Sequence, residues 1–210
     1  RIFGCLREND LFKNTWVIFT ADHGEMLGDH HMSQKNLFFE GSAHVPLLIM
    51  PPQGRSLPHN ISVEAPTDLV DIYPTILAMA GLSSPVSVSG KNLLEPVPMD
   101  RMFFGNSLNK NFCVMEEKVK LVYSAVGDHV LLFDLNTDPM EQHNLAEDPA
   151  WQERKAKLWK LLLEHTAQYT PEALDEKGQF LTYEAPRFPG DVPGRWFGFH
   201  YHDYSVDTFH

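Results

Sequence analysis

The sequence predicts an α/β fold: part of a mostly parallel sheet with flanking helices, then a small antiparallel sheet with a helix packed on it. Three observations predict it. Residues 15–20 (TWVIFT) and 45–50 (VPLLIM) are continuous apolar runs, the pattern of strands buried on both faces. Helical segments flank these runs, so residues 1–82 read as helix, strand, loop, strand, helix. Beyond residue 83 the chain turns to Ser, Pro and Gly, then to short strands parted by turn residues. The expected domains are an α/β part over 1–98, an antiparallel sheet and helix over 99–170, and an aromatic-rich tail over 171–210.

Each element has its own signal. Ile2, Phe3, Leu6, Leu11 and Phe12 recur at helical spacing, with Arg7, Glu8 and Asp10 on the opposite side. Residues 15–20 form the first strand and 45–50 the second, with Pro46 tolerable near a strand start; a short amphipathic segment, 36–42, lies between them. Pro51-Pro52-Gln53-Gly54 is a turn, and 55–66 an exposed connection. Leu69, Ile72, Ile76, Leu77 and Met79 share one face of a helix over 67–80. Thr67 is its expected N-cap, Gly81 its stop, and Pro74 restarts it near its first turns. Residues 112–115, 120–124 and 130–135 are short strands, and Gly127-Asp128 marks the hairpin between the last two. Asn136-Thr137-Asp138-Pro139 is a turn. Asp148-Pro149 caps a helix reaching Tyr169, with Trp151, Leu158, Leu162, His165 and Tyr169 on one side.

Composition removes several function classes. At 210 residues, 43% hydrophobic and 21% charged, the chain has the balance of a globular protein and not of a disordered or fibrous one. A formal charge of −11 argues against a protein that tracks nucleic-acid phosphates. No apolar run approaches the roughly 20 residues of a membrane-spanning helix. Cys5 and Cys113 are too few for a disulfide scaffold and lack C-x-x-C spacing.

The chemistry gathers after the first strand, where ligands bind in open α/β sheets. There the sequence reads Ala21-Asp22-His23-Gly24-Glu25-Met26-Leu27-Gly28-Asp29-His30-His31. Asp22 and His23 supply a carboxylate oxygen and an imidazole nitrogen, both donors for a divalent cation, and Gly24 is expected to allow a sharp turn. Taken alone, these residues read more readily as a capped turn with a hydrogen-bonded loop histidine, and two neighbours need further ligands from elsewhere. Asp29, His30 and His31 could extend the cluster or form a solvated loop. Lys35 could fold back over the strand end and hold an anionic oxygen.

TADHGEMLGDH, Lys35 and FFEGSAHVPLLI together resemble the C-terminal half of type I sulfatases of the alkaline phosphatase superfamily. Later segments agree in order: TDLVDIYPTIL followed by Ala80-Gly81, then Lys120-Leu121, Leu132-Phe133-Asp134-Leu135, Asp138-Pro139, Glu141 and Asn144-Leu145. Pro193-Gly194-Arg195-Trp196 and Gly198-Phe199-His200 are similar to the ending of some bacterial members. The resemblance implies a sulfuric ester hydrolase. Asp22 and His23 match two ligand positions for a divalent metal ion, usually calcium. Lys35 matches the lysine that contacts the sulfate, binding substrate and stabilising the leaving-group oxygen. The implied substrate is a small-molecule or carbohydrate sulfate ester.

The departures are specific. Ser33-Gln34 stand where many relatives carry an aromatic residue two before this lysine. The family's formylglycine arises from Cys or Ser in C/S-x-P-x-R, and neither Cys5 nor Cys113 lies in such a motif. The family's paired aspartates and upstream histidine also have no match. The chain opens on Arg1, and the expectation is that an N-terminal segment carrying these elements precedes it. The 210 residues alone should then be inactive. The alternatives are a phosphodiesterase or phosphonate monoester hydrolase of the same superfamily, and a non-catalytic module. A zinc hydrolase built on His23, His30 and His31 lacks the H-E-x-x-H spacing. The tail is expected to lie against the rest of the protein. In sharper versions Trp196, His200 or His202 lines a substrate pocket, or the tail supports a homo-oligomer.

Overall fold

The computed structural model describes residues 1–32, 35, 37–55 and 60–184. In chain order the elements are helix α1 (Ile2–Glu8), strand β1 (Val17–Phe19), the short helix α2 (Glu40–Ala43), strand β2 (Leu48–Met50) and helix α3 (Ile72–Met79). Four strands follow, β3 (Phe103–Ser107), β4 (Asn111–Glu116), β5 (Val119–Ser124) and β6 (His129–Asp134), and then the long helix α4 (Gln152–Tyr169). No described helix is long and apolar enough to cross a membrane. The chain divides into two compact units. One is Arg1–Asp22 with Val45–Met99; the other is His23–His44 with the described residues from Asp100 onward. Residues 23–44, read from sequence as part of 1–98, therefore group with the later sheet.

In the first unit the two apolar runs do form neighbouring strands, and this one pair is antiparallel where the sequence pattern suggested a parallel sheet. β1 and β2 run antiparallel, with Val17 opposite Met50, Ile18 opposite Ile49 and Phe19 opposite Leu48. Continuous apolarity carries no information on strand direction, and here it does not mark strands buried on both faces either, since no residue of β1 or β2 is fully buried. Ile18 faces an apolar groove that it lines with Trp16, Ile76, Met79 and Ala80. Phe19, Leu48 and Met50 are exposed.

α3 is entered through a helical turn at Leu69–Asp71, and its N-cap is Asp68 in place of the expected Thr67. The Asp71 carboxylate explains the shift, because it accepts from the Asp68 backbone N–H at 2.8 Å and closes a capping box. Pro74 falls in the first turn of α3, where a missing N–H costs little. Gly81 stops the helix at φ +72°, with Leu82 N–H bonded to the Leu77 carbonyl at 2.8 Å. Fully buried Asp71 and Thr75 then hold the returning chain. Asp71 Oδ1 accepts from Lys91 N at 2.7 Å, and Thr75 Oγ1 from Leu93 N at 2.9 Å.

The second unit contains the larger core. Its sheet is an antiparallel meander in the order β3-β4-β5-β6. Alternation along the strands divides the side chains between two buried faces. Phe112, Val114, Leu121, Tyr123 and Leu132 belong to a cluster with Leu158 and Leu162 of α4. Cys113, Val122, Leu131 and Phe133 belong to a second cluster with Met26, Met32, Leu37 and Phe39 of the 23–44 segment. The hairpin turns carry positive φ at Glu117 and Lys118, and at Gly127 and Asp128. Asp148 caps the turn into α4, accepting from Ala150 N at 2.8 Å. Of the aromatic tail, Phe180 enters the first cluster, with its ring centroid 4.6 Å from those of Phe112 and Tyr123. Trp196, His200 and His202 lie outside the described residues.

Candidate functional site

The site segment is held by backbone before any side chain acts. After β1 the chain passes Thr20 and Ala21 to Asp22, an exposed carboxylate that closes the first unit. His23 and Gly24 open the second. Gly24 N–H bonds the Ser42 carbonyl at 2.7 Å, and Glu25 N–H the Gly41 carbonyl at 3.0 Å. A Cβ on Gly24 would lie 2.1 Å from the Gly41 oxygen. The glycine therefore serves a close approach of two backbones, and its φ is not among the positive values. The sharp turn comes later, where Leu27, Gly28 and His30 have φ of 51°, 105° and 53°. Met26 and Met32, both buried, anchor that loop at its ends.

His23 is oriented at both ring nitrogens. Nδ1 lies 2.7 Å from the Gly24 carbonyl oxygen, and Nε2 lies 2.5 Å from Lys35 Nζ. An ammonium only donates, so Nε2 accepts, and the proton sits on Nδ1, which donates to Gly24. That tautomer is also the one in which Nε2 presents a lone pair to a metal. Lys35 is fixed at its backbone, because Ser42 Oγ donates to its carbonyl at 2.6 Å. The structure thus brings together His23 and Lys35, which are 12 residues apart.

Asp29 and His30 are placed differently from the His23–Lys35 contact. Asp29 is exposed, and the His30 ring stacks on Phe39 at 4.2 Å and 17°. Among the described residues no three His, Cys, Asp or Glu side chains come together as a metal site. By residue type, Asp22 offers an oxygen donor and His23 a nitrogen donor of the kinds a divalent cation accepts. Cys113 is fully buried. Burial first, and then the neighbouring Glu141 and Glu40 carboxylates, push its thiol up to about 12 against the pull of Lys120. It is an inert core residue.

Sequence reasoning missed an ion cluster beneath this segment. Lys120 Nζ lies 2.6 Å from Glu40 Oε1 and 2.6 Å from Glu141 Oε1. Burial works against the Lys120 ammonium, yet its acidic surroundings hold its pKa above the ordinary value. Burial would raise Glu40, but the Lys120 charge and the His44 contact outweigh it and hold that carboxyl low. For Glu141 burial wins, and its pKa is raised. The available signal was a lone lysine inside the apolar run V-K-L-V-Y.

Residues 1–82 match the family described as Sulfatase. Arylsulfatase K of Xenopus laevis is 33% identical over 165 residues, covering 69% of this chain and 30% of the relative. The uncharacterized sulfatase YidJ of Escherichia coli K12 is 32% identical, covering 73% of this chain and 32% of the relative. The phosphonate monoester hydrolase of Agrobacterium radiobacter superposes with a TM-score of 0.63 at 32% identity, covering 85% of this chain and 41% of that one. The chain thus spans about a third of the length of these curated relatives. These matches show that the chain belongs to the sulfatase family.

Proposed function

We propose that the protein carrying this chain is a sulfuric ester hydrolase, with Lys35 contacting the sulfate group and Asp22 and His23 ligating a divalent metal ion. The observation that carries it is the 2.5 Å contact of Lys35 Nζ with His23 Nε2, made by an imidazole already oriented through Nδ1. A fixed ammonium beside a metal-ready nitrogen is the arrangement needed where negative charge builds on S–O oxygens. A bound cation would add Lewis-acid stabilisation of that charge. The Nε2 lone pair holds one partner at a time; given to a cation, it frees the Lys35 ammonium for a sulfate oxygen. Calcium follows from the family resemblance, and the imidazole also admits softer ions.

Neither cysteine of the chain supplies the nucleophile on this reading. Cys113 is buried with a raised pKa, and Cys5 stands in α1 outside the required motif. Formylglycine would be carried by an N-terminal segment outside these 210 residues, and the same outside chain would complete a mostly parallel sheet. The substrate would be a small-molecule or carbohydrate sulfate ester.

A second reading, a phosphonate monoester hydrolase, is favoured by the 32% identity to the Agrobacterium radiobacter structure. The test assays the intact protein on an aryl sulfate and an aryl phosphonate monoester, before and after chelation, with metal analysis of the purified protein. Preferential sulfate turnover, lost on chelation and restored by a divalent cation, is expected. Preference for the phosphonate would favour the second reading, and no turnover of either would overturn both.

A further inference from the structure

Lys120 lies inside a strand, and its side chain is only 2% exposed. Along β5 it shares a face with Val122, whose cluster includes the 23–44 segment, and not with Leu121 and Tyr123, which meet α4. Its two ion pairs differ in form. The contact with Glu40 is a directed hydrogen bond, while that with Glu141 Oε1 is bent. Glu141 Oε2 then accepts the Glu40 backbone N–H at 2.7 Å, and Glu40 Oε2 lies 2.7 Å from His44 Nδ1. Lys120 and Glu141 therefore grip the first residue of α2 by side chain and by backbone.

The next two residues of α2 hold the site. Gly41 and Ser42 carbonyls accept from Glu25 and Gly24, and Ser42 Oγ donates to the Lys35 carbonyl. A continuous set of polar contacts thus runs from the middle of the sheet to both sides of the His23–Lys35 contact. Burying an ammonium with one buried and one half-buried carboxylate is costly, and an apolar replacement often does as well for stability alone. What apolar packing lacks is directionality, and α2 must present three groups at hydrogen-bond distance.

We infer that Lys120 is a positioning residue for this site: with Glu141 it fixes Glu40 and so sets α2, which in turn places Gly24 and Lys35. The inference rests on the sulfuric ester reading for its catalytic consequence, and its structural consequence is measurable without that reading. The experiment compares wild type, Lys120→Met and the milder Glu141→Gln in the intact protein. It measures hydrogen–deuterium exchange of the peptide holding Gly24 and Glu25, alongside kcat and KM on an aryl sulfate. We expect exchange in that peptide to quicken about tenfold or more while β4 and β5 amides stay protected, with kcat falling by about tenfold and KM changing less. If Lys120→Met does not fold, Glu141→Gln decides. A folded variant with unchanged exchange around Gly24 overturns the inference, as does quickened exchange with unchanged kcat. If wild type turns over no sulfate ester, the sulfuric ester reading has failed, and the exchange pattern alone decides whether Lys120 sets α2.

Discussion

Gly24 stands where a side chain has no room, since an added Cβ meets the Gly41 carbonyl oxygen and not a yielding side chain. Gly24→Ala should cost about 1–3 kcal/mol through displaced backbone. A lowered thermal midpoint of the intact protein checks this, and an unchanged midpoint would deny the close approach. The residue type was legible in the sequence, but its reason was not. A glycine after Asp-His signals a turn, and only the Ser42 and Gly41 bonds reveal a backbone contact 17 and more residues away. Charge and position single out Lys35 in the sequence, and the structure adds that its Nζ lies beside His23 Nε2. Lys120 was less legible, because nothing local tells a buried lysine in an apolar strand where its counterions lie.

Elements were legible where one face alone decides them. α4 formed as its Asp148 cap and the Leu158–Leu162 spacing require, and the three strands at β4, β5 and β6 appeared where expected. β3 was missed because Gly105 and Asn106 break its strand pattern. Gly105 is there for packing, since a Cβ would meet the Phe38 ring at 2.3 Å. The start of α3 depends on Asp71, whose buried carboxylate serves two backbone donors. Asp71→Ala should cost about 1.5–3 kcal/mol per charged hydrogen bond lost, read by chemical denaturation. The ion cluster under α2 predicts two pH effects of opposite sign. Glu40 has a lowered pKa, so its contribution is present above the ordinary carboxylate value and lost as pH falls through the lowered one. Glu141 has a raised pKa, so its contribution is present below the ordinary value and lost as pH rises through the raised one. Thermal midpoints against pH should therefore flatten on the acid side in Glu40→Gln and above it in Glu141→Gln.

At the scale of the molecule, the two units differ in how completely they bury themselves. Among the described residues of the first unit, only Ala65, Asp71 and Thr75 are buried, while Phe19, Leu48 and Ile76 remain exposed. A sheet with an apolar, uncovered face fits the proposal that further chain completes it in the intact protein. Strand direction was not legible, because it depends on neighbours that local apolarity does not name. The 210-residue chain alone should hydrolyse no aryl sulfate. On the proposed function, Lys35 acts on the sulfate group of a sulfuric ester. The most direct test of this proposal is kcat/KM for an aryl sulfate in the intact protein, wild type against Lys35→Ala. Measurable turnover that falls by about 10²–10³ in the variant is expected. Equal kcat/KM in the two proteins, or turnover by the 210-residue chain alone, would contradict it.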